Sequence, residues 1–480
     1  MTNILIIGHA DTSRRWENEL LARLSAAGHA VSSCRAPTPE PNARTMDNVL
    51  ALEGRRFGPS LASRSRPLPS GDTGPVDLIV DLTATAARRG TPVLTLEFCG
   101  QSSFAAGMTE MLASGRLPEL TARLDGVAVA RARPMISDRL WLSRTSNDLL
   151  AGAISLIAQC VARFSAGKLA PIAESPAPPL QKGGFIGHYL PFFGRGLVDR
   201  AVQKLRRGRR PFYWQVAYRL IDGPGVAETG LLDGKPFTVL ADDGQRFYAD
   251  PFVLERDGRH FLFVEEFPYS TGRGVISVAE LGTDGTFGVP KVVLEEAHHL
   301  SYPQVFAHSG EIFMIPESAT AREVVLYRAV QFPVRWVRDT VLMTDRDFND
   351  ATLLESDGRF WLLGTERFGH GSASDTMAVY SAPALRGPWA AHALNPVAVD
   401  HSATRPGGAF IRQGDALLLP VQNGSRAYGG GLGLMRLDRL DDFDVLFAPP
   451  HPIGPGPAWA RAGIHTLNRA GNVEVVDSAG

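Results

Sequence analysis

Three cysteines occur in 480 residues: Cys34, Cys99 and Cys160. They stand far apart and none belongs to a CxxC pair, which argues against a disulfide framework and a structural zinc site. Charge of one sign is also lacking. With 49 Lys and Arg against 50 Asp and Glu, the net charge is −1. No global field draws the chain to nucleic acid or to an anionic surface. Long apolar runs are missing, since no stretch reaches the roughly 18 residues of a membrane span. The best candidate, 149–162, is interrupted by Ser155 and Gln159. The opening "MTNILIIGHA" has no basic residue before its short apolar run and reads as a buried first strand rather than a signal peptide. A cytoplasmic protein with reduced thiols is therefore expected. The first strand leads into "GHADTSRRW", which is not GxGxxG, and "YGGGLGLM" at 428–435 lacks GK[ST]. His298 and His299 have no third partner at metal-ligand spacing. No cofactor and no metal are expected.

What is present divides the chain in three. This length exceeds one ordinary core, so two or three domains are expected. Residues 1–165 alternate strand and helix signals. "NILIIGH" is a continuous apolar run, "RRWENELLARLSAAGHAV" has helical periodicity with a stop at Gly28, and "VDLIVDLT" (76–83) and "TPVLTLEF" (91–98) read as strands. "SNDLLAGAISLIAQCVARF" (146–164) predicts a helix opened by Ser146 or Asn147. The alternation predicts a Rossmann-like α/β layer with a mainly parallel sheet. The Pro-, Ser- and Gly-rich stretch 58–74 reads as a loop.

Residues 166–212 read as a linker: a Pro-rich extended stretch, then a short helix in "LVDRAVQKLRRGRRPFYW". Lys204, Arg206, Arg207, Arg209 and Arg210 give that helix a basic end. It suits either a solvated helix terminus or a phosphate or anionic headgroup.

Residues 213–480 carry a repeat. "YADPFVLERDGRHFLFVEEF", "LSYPQVFAHSGEIFMIPESA", "FNDATLLESDGRFWLLGTER" and "ATRPGGAFIRQGDALLLPVQN" each hold two apolar strands around a glycine turn. From Asp250 the equivalent positions are Tyr302, Asp350 and Arg405, at steps of 52, 48 and 55 residues. "GIHTLNRAGNVEVVDSAG" is a weaker fifth copy. Units of this length match four-stranded propeller blades, so five blades are predicted, the fifth closed by the early strand "YWQVAYRL". First strands lie nearest the axis, so Asp250, Tyr302, Asp350 and Arg405 should converge there. Gln304 opens beside them. Glu265 and Glu266, Glu317, Glu366 and Gln422 end the second strands, and some of these ends should rim the funnel, where His465 of the fifth copy also meets it. Glu265 and Glu266 cannot both point inward, because neighbours on a strand alternate.

These motifs carry resemblances. The first third, through "VDLIVDLT", "PVLTLEF" and the late helix, resembles a degenerate formyltransferase N-terminal domain. Its Asn-x-His pair has no counterpart, "LTLEFCG" standing where it is expected, so the resemblance implies lost formyl transfer. "ADPFV" and "NDATL" resemble first-strand motifs of the five-bladed furanosidase superfamily. The 240–475 region resembles bacterial relatives of the N-terminal domain of glucosamine inositolphosphorylceramide transferase, through "DPFVLERDGRHFLFVEEF", "LSYPQVF", "MIPES", "DATLLESDGRFWLL", "RPGG" and "GIHTLN". No glycosyltransferase domain follows in this sequence, so that domain's activity is not implied. The furanosidase resemblance implies Asp250 as base or nucleophile and Asp350 as the carboxylate that tunes an acid's pKa. At the acid's place it finds Arg405, which cannot donate a proton at neutral pH. Glu317, Glu266 or Glu366 is then the expected acid, with Arg405, Gln304, Glu366, Gln422 and His465 binding a sugar, or an anionic group on it. The expected function is glycosyl transfer or hydrolysis in glycan biosynthesis or remodelling. The alternative is a non-catalytic glycan-binding module in surface-polysaccharide assembly.

Overall fold

The apolar run at the start of the chain becomes the second strand of a six-stranded sheet in the computed structural model. The structure describes the whole chain except residues 10–12, 37–39, 41–42, 70–73, 86–89, 175–182, 207–211, 427, 462 and 480. It divides into two compact units, one of 1–206 with 368–372 and 398–400, the other of 207–367, 373–397 and 401–480.

The first unit runs β1 (Asn3–His9), α1 (Arg15–Ala26), β2 (Ala30–Ala36), α2 (Ala43–Phe57), β3 (Leu78–Asp81), β4 (Val93–Phe98), α3 (Phe104–Ser114), β5 (Leu120–Leu124), β6 (Val127–Ala132), α4 (Leu142–Ser165) and α5 (Phe185–Arg206). The sheet order is β2-β1-β3-β4-β5-β6. The first four strands are parallel, but β5 and β6 are antiparallel. The sheet is mixed: three of its five strand pairings are parallel, as expected of a mainly parallel layer, and two are antiparallel. β5 already runs against β4; β6 then runs against β5 because Asp125 and Gly126 both take positive φ, 52° and 87°, and a two-residue Asp-Gly turn of that kind reverses the chain into a hairpin.

Helix α4 starts at Leu142, before the expected Ser146 or Asn147. Its cap comes from another helix. Glu53 of α2 accepts from the backbone nitrogens of Leu142 (3.1 Å) and Ser143 (2.7 Å), satisfying donors that a helix start leaves open. Asn147 instead accepts from the backbone of Leu61. α4 is long and apolar enough to cross a membrane, but 72% of its most apolar window is buried. Leu149, Leu150, Leu156, Ile157 and Val161 fill the unit's core. The expected linker holds a 22-residue helix, α5, longer than the short one predicted.

The second unit is a five-bladed propeller, as predicted. The first two strands of blade 1 are Arg246–Arg256 and Arg259–Pro268. Those of blade 2 are Ser301–His308 and Glu311–Glu317, of blade 3 Phe348–Ser356 and Arg359–Glu366, of blade 4 Ile411–Gln413 and Ala416–Gln422, and of blade 5 Leu467–Ala470 and Val473–Ala479. Trp214–Leu220 pairs antiparallel along the whole of Val473–Ala479, so the ends of the unit share blade 5 and close the ring. Apolar side chains pack between successive blades. Phe263, Tyr302 and Tyr327 fill the space between blades 1 and 2, and Phe313, Phe348 and Leu362 that between blades 2 and 3.

Candidate functional site in the propeller axis

The first strands of blades 1 to 3 share one irregularity. In each, two residues oppose a single residue of the second strand: Asp250 and Pro251, Tyr302 and Pro303, Asp350 and Ala351. The first of each pair has positive φ: 49° at Asp250, 45° at Tyr302, 52° at Asp350. Such a bulge re-aims a side chain. Left-handed conformation costs a non-glycine residue about 1–3 kcal/mol and persists where surrounding structure demands it. Repeated on three blades, it turns these residues toward one another. The backbone nitrogen of Tyr302 donates to Asp250 Oδ2 (3.3 Å), and that of Asp350 to Glu317 Oε2 (3.2 Å).

Arg405 organises one half of the cluster. Its Nε and Nη2 form a fork on Asp350 (2.6 and 3.1 Å), and Nη2 also reaches Glu317 Oε2 (3.3 Å). Nη1 donates to the Ala373 carbonyl (3.1 Å) and Ser374 Oγ (3.2 Å). A guanidinium has five N–H groups, and these five bonds use them all. Gln422 adds a donor to Asp350 Oδ2 (2.7 Å) and one to the Pro406 carbonyl (2.8 Å). The Tyr302 hydroxyl ties the axis together, meeting Thr352 Oγ1 at 2.9 Å and accepting from the Gly408 nitrogen at 2.8 Å.

His465 and Asp477 organise the other half. His465 Nδ1 lies 3.3 Å from Asp250 Oδ1 and 3.4 Å from Asp477 Oδ2. Asp477 also accepts from the backbone nitrogens of Asp250 (2.9 Å) and Thr466 (2.7 Å). Trp214 and Tyr428 rings flank His465 at 4.5 and 5.2 Å, and Tyr428 also lies 5.4 Å from the Arg405 guanidinium. Tyr428 is 44% exposed, an aromatic surface beside a buried charged cluster.

Burial sets the protonation. Desolvation, then the charge of Asp350, drives Glu317 well above the usual carboxylate range; Arg405 only partly opposes this. Desolvation, then Asp250 and Glu317, does the same to Glu265. Asp250 is also raised by burial, against the pull of His465. His465 is raised despite its burial, by Tyr428 and Asp477, and stands as imidazolium. Asp477 is lowered against its burial by that imidazolium. The axis therefore holds two carboxyls, Glu317 and Glu265, driven well above the usual range, beside Asp477, which His465 holds below it. Asp250, His465 and Asp477 each bring a possible metal-ligand atom within 4.8 Å of the others. His465 Nδ1 faces one oxygen of each carboxylate, while His465 Nε2 and Asp250 Oδ1 are buried without a hydrogen-bond partner among the described residues.

The structure brings together Asp250, Glu317, Asp350, Arg405, Gln422 and His465 from the expected set. Three expected residues are held elsewhere. Glu266 accepts from Ser277 Oγ (2.6 Å) and pairs with Arg246. Glu366 repeats that arrangement one hundred residues on, with Tyr380 (2.7 Å) and Arg346 (3.0 Å). Gln304 clamps the backbone of Leu353, accepting from its nitrogen at 2.6 Å and donating to its carbonyl at 3.3 Å. Strand alternation explains the first two. Glu265, Glu317 and Thr365 pair with Ala249, Ser301 and Asn349, one residue before each bulge. Their successors Glu266 and Glu366 take the opposite face. Setting the repeats against one another makes Glu265 the equivalent of Glu317, and that signal was available. Asp477 and Tyr428 were missed; "VEVVDS" and the glycine run carry no motif. The basic stretch beyond Lys204 lies mostly outside the described residues. A separate cavity of about 390 Å³ opens at the hairpin-turn end of blades 1 and 2, between Arg256, Phe261, Glu311 and Phe332, and holds none of these groups.

Residues 239–446 match the protein family described as "Glucosamine inositolphosphorylceramide transferase 1, N-terminal". Over 199 residues the chain is 36% identical to glucosamine inositolphosphorylceramide transferase 1 of Oryza sativa subsp. japonica, covering 40% of this chain and 26% of that protein. It is 31% identical to the Arabidopsis thaliana protein of the same name, with the same coverage. The chain thus spans about a quarter of these relatives' length. Among solved structures, an exo-beta-1,3-galactanase from Clostridium thermocellum aligns with TM-score 0.36 and 12% identity, over 49% of this chain and 59% of that one. A family 117 glycoside hydrolase from Zobellia galactanivorans aligns with TM-score 0.36 and 12% identity, over 56% and 90%.

Proposed function

We propose that the propeller acts on a glycosidic bond, by transfer or hydrolysis, with Glu317 as proton donor and Asp250 as the carboxylate opposite it. One observation carries this: the axial cluster sets Glu317, driven well above the usual carboxylate range, beside Asp250, whose own rise His465 opposes. A carboxyl held high by burial, facing a second carboxyl that a cation pulls toward the anion, suits acid–base chemistry at a sugar oxygen. Both donors to Glu317 sit on Oε2, leaving Oε1 to carry the transferable proton. Asp350 raises the pKa of Glu317, and Arg405 holds the two in place. Glu265 is a second acid in the same layer. Tyr428 offers a ring on which a sugar face stacks. The transferase name of the family matched by 239–446 supports carbohydrate chemistry.

Arg405 changes one expectation. Its five donors are already engaged, so the proposed substrate is a neutral sugar at that position rather than an anion gripped by arginine. The same saturation favours the second reading, a glycan-binding funnel without turnover, because Arg405 stands where the furanosidase pattern has its acid. For the first unit we propose no formyl transfer: "LTLEF" forms β4 without an Asn-x-His pair.

Activated furanosides, pyranosides and nucleotide sugars, assayed with the wild type, Asp250→Asn and Glu317→Gln, separate the readings. Turnover on one donor, reduced about 10²- to 10⁴-fold in each variant, is expected. Retained glycan binding without turnover on any donor leaves the binding module.

A further inference from the structure

Helix α5 has two apolar faces, and among the described residues only one is covered. Phe185 and Tyr189 are buried in the first unit's core, with Phe192 and Phe193 packed against it. On the other side Ile186 is 41% exposed, Leu190 60%, Leu197 48%, Val198 61%, Val202 37% and Leu205 82%. At about 100° per residue, Ile186, Leu190, Leu197 and Leu205 fall within roughly 100° of one another, and Val198 and Val202 widen the stripe. Isolated surface apolar residues need no explanation, but six on one helix form a patch, and a patch marks a contact.

Charge says what covers it. Lys204 is exposed within the stripe and Arg195 is exposed at its edge. Arg200 is tied to Asp138 at 2.8 Å. The sequence continues as Arg206, Arg207, Arg209 and Arg210, and Asp199 is the one acidic residue of the helix. An exposed apolar stripe that carries Lys204, in a sequence that goes on with four arginines, fits an acyl boundary with anionic headgroups above it, where lysine stems lie along the apolar surface and their charges reach the headgroups. A second copy would bring the same cations and one aspartate per helix, with no acidic counterpart for the basic end.

We infer that α5 is an interfacial helix that seats the protein on an anionic lipid bilayer, lying in its surface rather than crossing it. The test is flotation of the full chain with phosphatidylcholine vesicles, with and without phosphatidylglycerol. The wild type is expected to float with the anionic vesicles and to be released by salt, since screening acts over about 10 Å at 0.1 M. Combined Leu190→Glu, Leu197→Glu and Leu205→Glu should weaken partition on the order of tenfold or more, with an unchanged circular-dichroism melt because all three side chains are exposed. Absence of wild-type partition overturns the inference, as does equal partition of the triple variant. So does a wild-type dimer in sedimentation that the triple variant abolishes while neither protein floats; the stripe is then a self-interface.

Discussion

Arg405 shows how far one residue could be read in advance. The repeat put it in the axis with Asp350, and there it is. Its role depended on counting donors, which sequence does not provide. Glu266 and Glu265 show a second case: alternation allows only one to face inward, and the repeat itself points to Glu265, the equivalent of Glu317. In the first unit, Glu17 is 1% exposed and burial pushes its carboxyl up to about 8, with the Arg14 backbone N–H and the Arg14 charge opposing. Glu17 Oε2 is buried with no hydrogen-bond partner among the described residues. The sign follows. Below about 4.5 both folded and unfolded chains hold the proton. Between about 4.5 and 8 only the folded chain does, so its stability falls as pH rises through that window and levels off above it. Melting temperatures at pH 5, 7 and 8.5 should show Glu17→Gln losing less stability with pH than the wild type. An identical slope in both would remove Glu17 as its source.

At the scale of elements, helix and strand types were legible where periodicity was strong: α1, α4 and the paired strands of blades 1 to 4. Boundaries were not. Helix α4 begins where Glu53 caps it, and Glu53 lies about ninety residues earlier in the chain. The same carboxylate accepts from Ser143 Oγ (2.7 Å) and the Tyr189 hydroxyl (3.1 Å), so it joins α2, α4 and α5. Glu53→Ala leaves these buried donors unmet and should cost about 2 kcal/mol in denaturant unfolding. A loss below a few tenths would show that water replaces the cap. The Asp-Gly turn between β5 and β6 was readable and sets those two strands antiparallel. The bulges at Asp250, Tyr302 and Asp350 were not, since no residue preference favours left-handed tyrosine.

For the whole molecule, closure of the propeller couples fold to site. Trp214–Leu220 completes blade 5 beside Val473–Ala479, and Asp477 in that second strand holds both Asp250 and His465. An opened ring therefore loses the site as well as its edge protection. Ala217 pairs with Val476 on one side and Val239 on the other, so Ala217→Pro removes a central-strand donor and should destabilise by about 3 kcal/mol or more. The expected readout is a lower melting temperature, together with loss of whatever sugar binding or turnover the wild type shows. Unchanged melting would mean that this strand is dispensable for closure.

The sequence alone determined the repeat, the number of blades, the closing strand and the axial slots of Asp250, Tyr302, Asp350 and Arg405, because period and apolar alternation are properties of one chain read in order. Tertiary structure decided what those slots do. Protonation of Glu317 and Glu265, saturation of Arg405 and the pairing of Asp250 with His465 and Asp477 arise from burial and from neighbours up to 227 residues apart. Desolvation and hydrogen-bond counts belong to the assembled axis, and no local pattern encodes them.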